Sequence, residues 1–184
     1  ADQIILEVNS WQNPGLEGRH DIYYGTASPP HRKPLMLTQP QERIGEAYFR
    51  VDPAKVVAVV ETNHPDRNSG YAEPDENSQA IARHLMDFLQ QEVAKGHLPP
   101  ELLPIQSGVG NIANAVLQGL NEGPFENLTA FTEVLQDGMF EMLKSGKLKS
   151  ASATAFSLSP HVLEELLQDL PRYRDRILLR PQEI

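Results

Sequence analysis

The sequence predicts an α/β fold, a mostly parallel open sheet with helices on both faces, preceded by an irregular arm. Short apolar runs suited to strands alternate with stretches whose apolar residues recur every three or four positions. Residues 56–60 form the strongest strand signal, because a continuous run rich in β-branched residues is typical of a parallel strand covered on both faces. Repeated alternation of strand and helix predicts a three-layer arrangement.

The elements before residue 100 follow from local pattern. Residues 4–8 predict a buried strand, and residues 11–40, rich in Pro, Gly and His, predict an irregular connecting arm. Residues 64–77 carry almost no apolar side chain, so we expect an exposed loop there. A helix is expected from Ser78 to the glycine and prolines at 96–100. Its apolar residues recur at helical spacing: Ile81, Leu85, Phe88, Leu89 and Val93.

The rest of the chain predicts repeated strand and helix units. The predicted strands are residues 102–105, 128–134, 151–158 and 177–179. The predicted helices are residues 111–119, 137–143 and 160–170. Gly146 is expected to end the second of these helices, because glycine tolerates the left-handed conformation found there. Met139 and Met142 on that helix are expected in or near the core.

Composition and charge exclude several classes of function. The chain has 184 residues, of which 40% are hydrophobic, and this suits one folded domain. A formal net charge of -9 argues against non-specific nucleic-acid binding, which needs clustered Lys and Arg. No apolar run approaches the roughly 18 residues of a membrane span, and the first residues lack a signal-peptide pattern. Since cysteine is also absent, we expect a cytoplasmic protein.

Metal binding is not predicted. The chain offers no thiolate ligand, and its histidines do not fall in HExxH or comparable spacing. We therefore expect surface or structural roles for all of them: His20, His31, His64, His84, His97 and His161.

A glycine-containing turn at residues 106–111, Gln-Ser-Gly-Val-Gly-Asn, gives the first functional signal. It lies between a predicted strand and a predicted helix, a corner where α/β folds expose backbone N–H groups. Gly108 and Gly110 are also explained by a tight turn alone, since a GxG without a third glycine is weak evidence for dinucleotide binding. Alternatively, the N–H groups of Val109 and Gly110 face an oxyanion or a phosphate. Both interpretations remain open from the residues alone.

Glu133 gives the second signal, at the corner formed by residues 131–138. It is the carboxylate of a Thr-Glu pair at the end of an otherwise uncharged strand. Position alone favours a solvated glutamate, because most glutamates near strand ends are exposed. Arg67, the cation of the loop at 64–77, is open to two interpretations: a contact for a substrate carboxylate or CoA phosphate, or a solvated side chain.

Together with residues 111–116 and 150–155, these two turns resemble the acetyl-CoA hydrolase/transferase family of class I CoA-transferases, of the succinyl-CoA:acetate type. The resemblance covers nearly all of the chain. Members of this family are far longer, so we expect an internal segment that contains the catalytic glutamate. The resemblance implies a strand plus irregular connecting arm at residues 1–50 and an α/β CoA-transferase catalytic domain at 51–184, incomplete at its C-terminal end.

The resemblance also implies a chemistry. Glu133 would be the nucleophile that moves CoA between small carboxylic acids, such as acetate and succinate, through a glutamyl-CoA thioester. CoA would be a substrate rather than a tightly bound cofactor, and water would have to be excluded for transfer to prevail over hydrolysis. The implied oxyanion and CoA contacts are Gly108, Val109, Gly110, Asn111 and Gln106, with Ser107 beside them, and Arg67 would gate the substrate.

The resemblance implies a homodimer, acyl-CoA and small acids as substrates, and contacts with the remaining parts of a longer enzyme. We expect the isolated segment to be inactive or nearly so, because an incomplete oxyanion site loses transition-state stabilisation. Two alternatives remain open: a non-catalytic CoA-binding module, and a phosphosugar-binding α/β enzyme that uses the glycine turn for phosphate.

Overall fold

The computed structural model describes residues 1–182 except residues 26, 29, 69, 71 and 72. The strands are β1 (Ile4–Asn9), β2 (Val56–Thr62), β3 (Leu128–Phe131), β4 (Val134–Gln136), β5 (Leu148–Ala153), β6 (Ala155–Ser157) and β7 (Ile177–Leu179). The helices are α1 (Glu76–Ala94), α2 (Asn111–Glu122), α3 (Asp137–Ser145), α4 (Pro160–Gln168) and α5 (Leu170–Tyr173), with short 3-10 turns at Pro14–Leu16, Pro53–Lys55 and Arg174–Arg176. This alternation confirms the predicted α/β class.

The named strands pair in parallel, as predicted, but they form three small sheets instead of one. The orders are β1-β2, β3-β5-β7 and β4-β6. Single parallel bridges extend the three-stranded sheet on both sides, from Ile105 to Ala130 and from His20 to Leu179. β7 is buried throughout and β5 at all but one position, which is the burial expected of parallel strands covered on both faces.

The end of α3 and the start of α4 follow the predicted capping signals, whereas α2 continues past its predicted end at residue 119 to Glu122. Gly146 ends α3 with a φ of 87°, and α4 begins at Pro160. α1 begins at Glu76, two residues before the predicted start, because the Asp75 carboxylate accepts the backbone N–H of Ser78 at 2.7 Å. On α3, the side chains of Met139 and Met142 are both buried, which confirms their predicted place in the core.

Residues 102–105 do not form the predicted strand. Leu102 has a φ of 58°, and Pro104 has no backbone N–H to donate to a ladder. Ile105 alone pairs with β3, donating to Thr129 and accepting from Phe131, both at 2.9 Å. The predicted strands at 128–134 and 151–158 are also each divided in two, and the breaks fall before Val134 and before Ala155.

The prediction that β1 and β2 are buried is wrong. They pair with each other in register, Leu6 opposite Val59, and form a sheet of their own. Ile5, Val57 and Val59 are 67%, 55% and 58% exposed, so apolar side chains of this pair face solvent. β1 and β2 lie on either side of residue 50 in the sequence and pair with each other. The predicted domain boundary at residue 50 stays a prediction.

A buried ion pair ties the irregular arm to the three-stranded sheet. The side chains of Arg180 and Asp21, which form the pair, are 3% and 0% exposed. Arg180 also donates from Nε to Ser152 Oγ at 2.6 Å and from Nη2 to the Pro40 carbonyl at 3.0 Å, while the Asp21 carboxylate accepts the Gly45 N–H at 2.6 Å. Burial lowers the pKa of Arg180, an effect that the Asp21 carboxylate opposes. The arm is thereby fixed to the carboxyl ends of β5 and β7.

Candidate active site

The backbone of Glu133 is held in the break between β3 and β4. Its carbonyl accepts two hydrogen bonds from Thr154, one from the backbone N–H and one from Oγ1, both at 2.8 Å. Thr154 itself lies in the break between β5 and β6, so the two breaks are side by side. This arrangement places Glu133 at the carboxyl end of β3, where α/β folds carry functional side chains.

The Glu133 side chain, by contrast, is exposed. Its Oε1 accepts a hydrogen bond from Gln182 Nε2 at 3.0 Å. The described part of the chain therefore does not shield this carboxylate from solvent, although the predicted chemistry requires shielding. No motif or periodicity points to Gln182, which lies 49 residues further along the chain.

The glycine turn lies at the same edge of the sheet as Glu133. Ile105 pairs in parallel with β3, so the residues after each reach the same end of the sheet. Thr132 joins the two corners, because its Oγ1 donates to the Ser107 carbonyl at 3.3 Å and accepts the Ser107 N–H at 3.4 Å. The structure thus brings together residues 106–111 and the Thr-Glu pair, as the resemblance implies.

The turn presents backbone donors at the start of α2. Gly110 precedes the helix with a φ of 129°, a backbone conformation that residues other than glycine rarely adopt. Within the described part of the chain no side chain caps this helix end, and Asn111, the first helical residue, is exposed together with Gln106. Val109 is 64% exposed. Uncapped N–H groups and the helix dipole together favour an anion at this position.

Gln136 contacts the turn from inside the protein, and sequence reasoning missed it. Its side chain is fully buried, and Nε2 donates to the Gly108 carbonyl at 2.7 Å and more weakly to the Ser107 carbonyl at 3.4 Å. One glutamine at the end of a short strand gives no signal of this role. Residues 106–109 also border an apolar cavity of about 590 Å³ between α1 and α2.

Arg67 lies in a different cavity from the turn. This cavity, of about 690 Å³, is lined by the arm, by the loop that follows β2, and by Phe156 and Leu179. His20 also lines it, and burial together with the nearby Arg43 lowers the pKa of His20. The structure therefore does not unite Arg67 with the glycine turn.

The described residues show neither a metal cluster nor a membrane-spanning helix. Within residues 1–182, apart from the five positions excluded above, no cluster of three or more His, Asp or Glu side chains has an arrangement that could hold a metal ion. In the same part of the chain, each helix is too short or too polar to cross a membrane.

Curated relatives match the chain along its whole length. It is 46% identical to an acetyl-CoA hydrolase of Schizosaccharomyces pombe and 46% identical to a succinyl-CoA:acetate CoA-transferase of Clostridium kluyveri. It is 40% identical to a propanoyl-CoA:succinate CoA transferase of Escherichia coli. The chain spans 35%, 34% and 37% of the lengths of these proteins, about a third in each case. These matches confirm the resemblance to the acetyl-CoA hydrolase/transferase family, although no protein-family model matches the chain.

Solved structures support the fold. The chain superposes on a point mutant of RipA with a TM-score of 0.58 and 19% identity, over 98% of this chain and 33% of that one. It superposes on a 4-hydroxybutyrate CoA-transferase from Porphyromonas gingivalis with a TM-score of 0.52 and 15% identity, over 97% of this chain and 36% of that one. At these identities the likeness shows the fold alone, and the fold agrees with the predicted α/β arrangement.

Proposed function

We propose that this chain, similar throughout to acetyl-CoA hydrolases and CoA-transferases, carries the nucleophile of an enzyme that transfers CoA between small carboxylic acids or hydrolyses acyl-CoA. One observation carries the proposal: Glu133 and the uncapped glycine turn lie at the same sheet edge and are joined through Thr132. A carboxylate nucleophile and nearby backbone donors for an oxyanion are the two groups that acyl transfer needs.

The reaction begins when the Glu133 carboxylate attacks the thioester carbonyl of acyl-CoA. The carbon–sulfur bond breaks, which leaves a mixed anhydride on Glu133 and a CoA thiolate. The thiolate then attacks the glutamyl carbonyl, and the acyl group leaves as a carboxylate. A second carboxylate reverses these steps to give a new acyl-CoA, whereas water attacking either intermediate gives hydrolysis.

The glycine turn supplies donors for the oxyanion in this proposal. Each attack creates a tetrahedral intermediate with a negative oxygen, and one aligned N–H is worth about 10² to 10³ in rate. The N–H groups of Val109 and Gly110 suit that role because they lie in the exposed turn that leads into α2, next to the positive end of the helix dipole. Gln106, Gly108 and Asn111 would line the CoA path.

Further polypeptide would complete this site. The Glu133 carboxylate is exposed in this chain, and apolar residues of β1 and β2 also face solvent. We infer that residues of a longer protein, comparable in length to the relatives, cover both. A cytoplasmic homodimer acting on acetate and succinate, with Arg67 as the gating residue, is part of the same proposal. The domain division at residue 50 also belongs to it.

The test is mass spectrometry of the full-length protein after incubation with acetyl-CoA. We expect an adduct of CoA, joined through a thioester, on the peptide that contains Glu133. The variant Glu133→Gln should form no adduct and should lose transferase and hydrolase activity. Glu101→Gln, which changes an exposed glutamate before the turn, is the matched control and should behave as the wild type.

Each alternative predicts a different result. A non-catalytic CoA-binding module would bind acyl-CoA equally well with Glu133→Gln and would form no adduct in either protein. A phosphosugar enzyme would ignore acyl-CoA and bind sugar phosphates instead. An adduct on a peptide without Glu133 would refute the assignment of the nucleophile.

A further inference from the structure

We propose that Gln136 is a positioning residue that sets the direction of the Val109 N–H, one of the two proposed oxyanion donors in the glycine turn. Its catalytic consequence depends on the proposed function, whereas its effect on the turn does not. Gln136 ends β4, three residues after Glu133, and its side chain is fully buried. From there its amide reaches back across 28 and 29 positions of sequence to the turn.

The contacts are made to carbonyl groups. Gln136 Nε2 donates to the Gly108 carbonyl at 2.7 Å and to the Ser107 carbonyl at 3.4 Å. The Ser107 carbonyl also accepts from Thr132 Oγ1 at 3.3 Å, and the Gly108 carbonyl accepts from Ser107 Oγ at 3.1 Å. The bond from Ser107 Oγ is exposed, so it competes with water. Gln136 therefore supplies the better-shielded bond to the Gly108 carbonyl.

The direction of the N–H groups follows from peptide geometry. In a trans peptide the carbonyl and the N–H of the same unit point in opposite directions. The Gly108 carbonyl is drawn inward to Gln136, so the N–H of Val109 in the same peptide points outward. The Ser107 carbonyl likewise directs the N–H of Gly108 away from the interior. Gly108 and Val109 are both exposed, which leaves these donors open to a ligand.

The amide of Gln136 has only one orientation that fits. Exchanging Nε2 and Oε1 would place an amide oxygen against two carbonyl oxygens, with no proton between them. In the observed orientation Oε1 is buried and has no hydrogen-bond partner among the described residues. A buried amide oxygen without a partner is unfavourable. An unpaired buried polar group of this kind is typical of a functional position, because the geometry that function requires is kept at a cost in stability.

The first test compares Gln136→Met with wild type in the full-length protein. Methionine has a similar length but no donor, so the Gly108 carbonyl loses its shielded hydrogen bond and retains the exposed one from Ser107 Oγ. We expect kcat for acyl transfer to fall by about 10²-fold or more, the loss typical of one oxyanion donor, with KM near the wild-type value. Gln118→Met is the control, because Gln118 is exposed on α2 and donates to Glu122. It should leave kcat and KM unchanged.

The second test uses Gln136→Glu and pH. A protonated carboxyl group can donate to the Gly108 carbonyl, whereas a carboxylate would repel it. Burial and the two carbonyls raise the pKa of such a group. We therefore expect kcat of Gln136→Glu, relative to wild type, to be highest at low pH and to fall as the pH rises. A purely structural role would not give this profile, and a ratio independent of pH would overturn the proposal.

Crystal structures of the full-length wild type and Gln136→Met separate this inference from the proposed function. We expect the Gly108 carbonyl to turn away from position 136 in the variant. If it keeps its direction, or if kcat is unchanged, the inference is wrong. If the wild type shows no activity on acyl-CoA, the proposed function fails, and the direction of the Gly108 carbonyl still decides whether Gln136 sets the turn.

Discussion

The buried pair of Arg180 and Asp21 gives a stability prediction that the structure makes quantitative. Asp21→Asn keeps the shape of the side chain but leaves the Arg180 guanidinium, 3% exposed, without its ion-pair partner. Removing one member of a buried ion pair costs about 3–5 kcal/mol, because the remaining charge stays desolvated. Arg180→Met should cost a similar amount, since it also leaves Ser152 Oγ and the Pro40 carbonyl without their donor.

The assay is urea unfolding of the purified protein, followed by two probes. Circular dichroism reports the helices, and fluorescence reports Trp11, which is the single tryptophan and lies in the arm. We expect the Trp11 transition to shift to lower urea in both variants, because the pair ties the arm to the sheet. The double variant Asp21→Asn/Arg180→Met should cost less than the sum of the single variants, by about 0.5–3 kcal/mol.

Asp175→Asn is the matched control for this experiment. Asp175 pairs with Arg19 at 3.5 Å, but its side chain is 83% exposed. An exposed pair is worth about 0–1 kcal/mol, so this variant should unfold nearly as the wild type does. If Asp21→Asn costs no more than Asp175→Asn, or if the double variant is strictly additive, then the buried pair does not hold the arm.

Three further predictions concern other parts of the molecule. Burial and the nearby Arg43 lower the pKa of His20 in the folded state. The contribution of His20 to stability should therefore be complete above about pH 6.5 and should be lost as the pH falls below that value. In urea unfolding at different pH values, His20→Gln should reduce the dependence of stability on pH. Gly110→Ala should lower the thermal midpoint, because a φ of 129° costs a non-glycine residue about 1–3 kcal/mol, whereas Gly108→Ala, with nothing within 4 Å of the added Cβ, should leave it unchanged. Arg67→Ala should raise KM for the carboxylate acceptor without changing the thermal midpoint, since its side chain is exposed; an unchanged KM would remove it from the substrate path.

Sequence patterns predicted the elements whose signals are local. The ends of α3 and α4 follow from Gly146 and Pro160, which act on their own turns of the chain. The strand predicted at residues 102–105 does not form for a reason that an apolar pattern does not encode: Leu102 has a positive φ, and Pro104, two residues later, has no N–H to donate. The exposure of β1 and β2 was not predicted, because an apolar pattern shows that the faces of a strand suit burial. The pattern does not show which part of the protein covers those faces.

In the candidate site, too, the residues found in local motifs could be predicted, whereas the residues that depend on long-range contacts could not. Glu133 and the glycine turn could be found from sequence, because a carboxylate and glycines at strand ends are visible in short motifs. Gln136 and Gln182 could not, since their contacts join positions 28 and 49 residues apart and follow only from the fold. The partner of Arg180 lies 159 residues away, and no periodicity connects the two.

The proposed chemistry has a donor half, the glycine turn, and a nucleophile half, Glu133, and the two differ in how many contacts this chain makes to them. In the donor half, Gln136 and Thr132 donate hydrogen bonds to the carbonyls of the turn from the inside. The nucleophile half has a fixed backbone, held by Thr154, but an exposed carboxylate with a single amide contact to Gln182. A hydrated carboxylate attacks poorly, and water at this position would favour hydrolysis over transfer. In the proposed chemistry the missing part is thus a cover over Glu133, and we expect the balance between transferase and hydrolase activity to depend on how completely that cover excludes water.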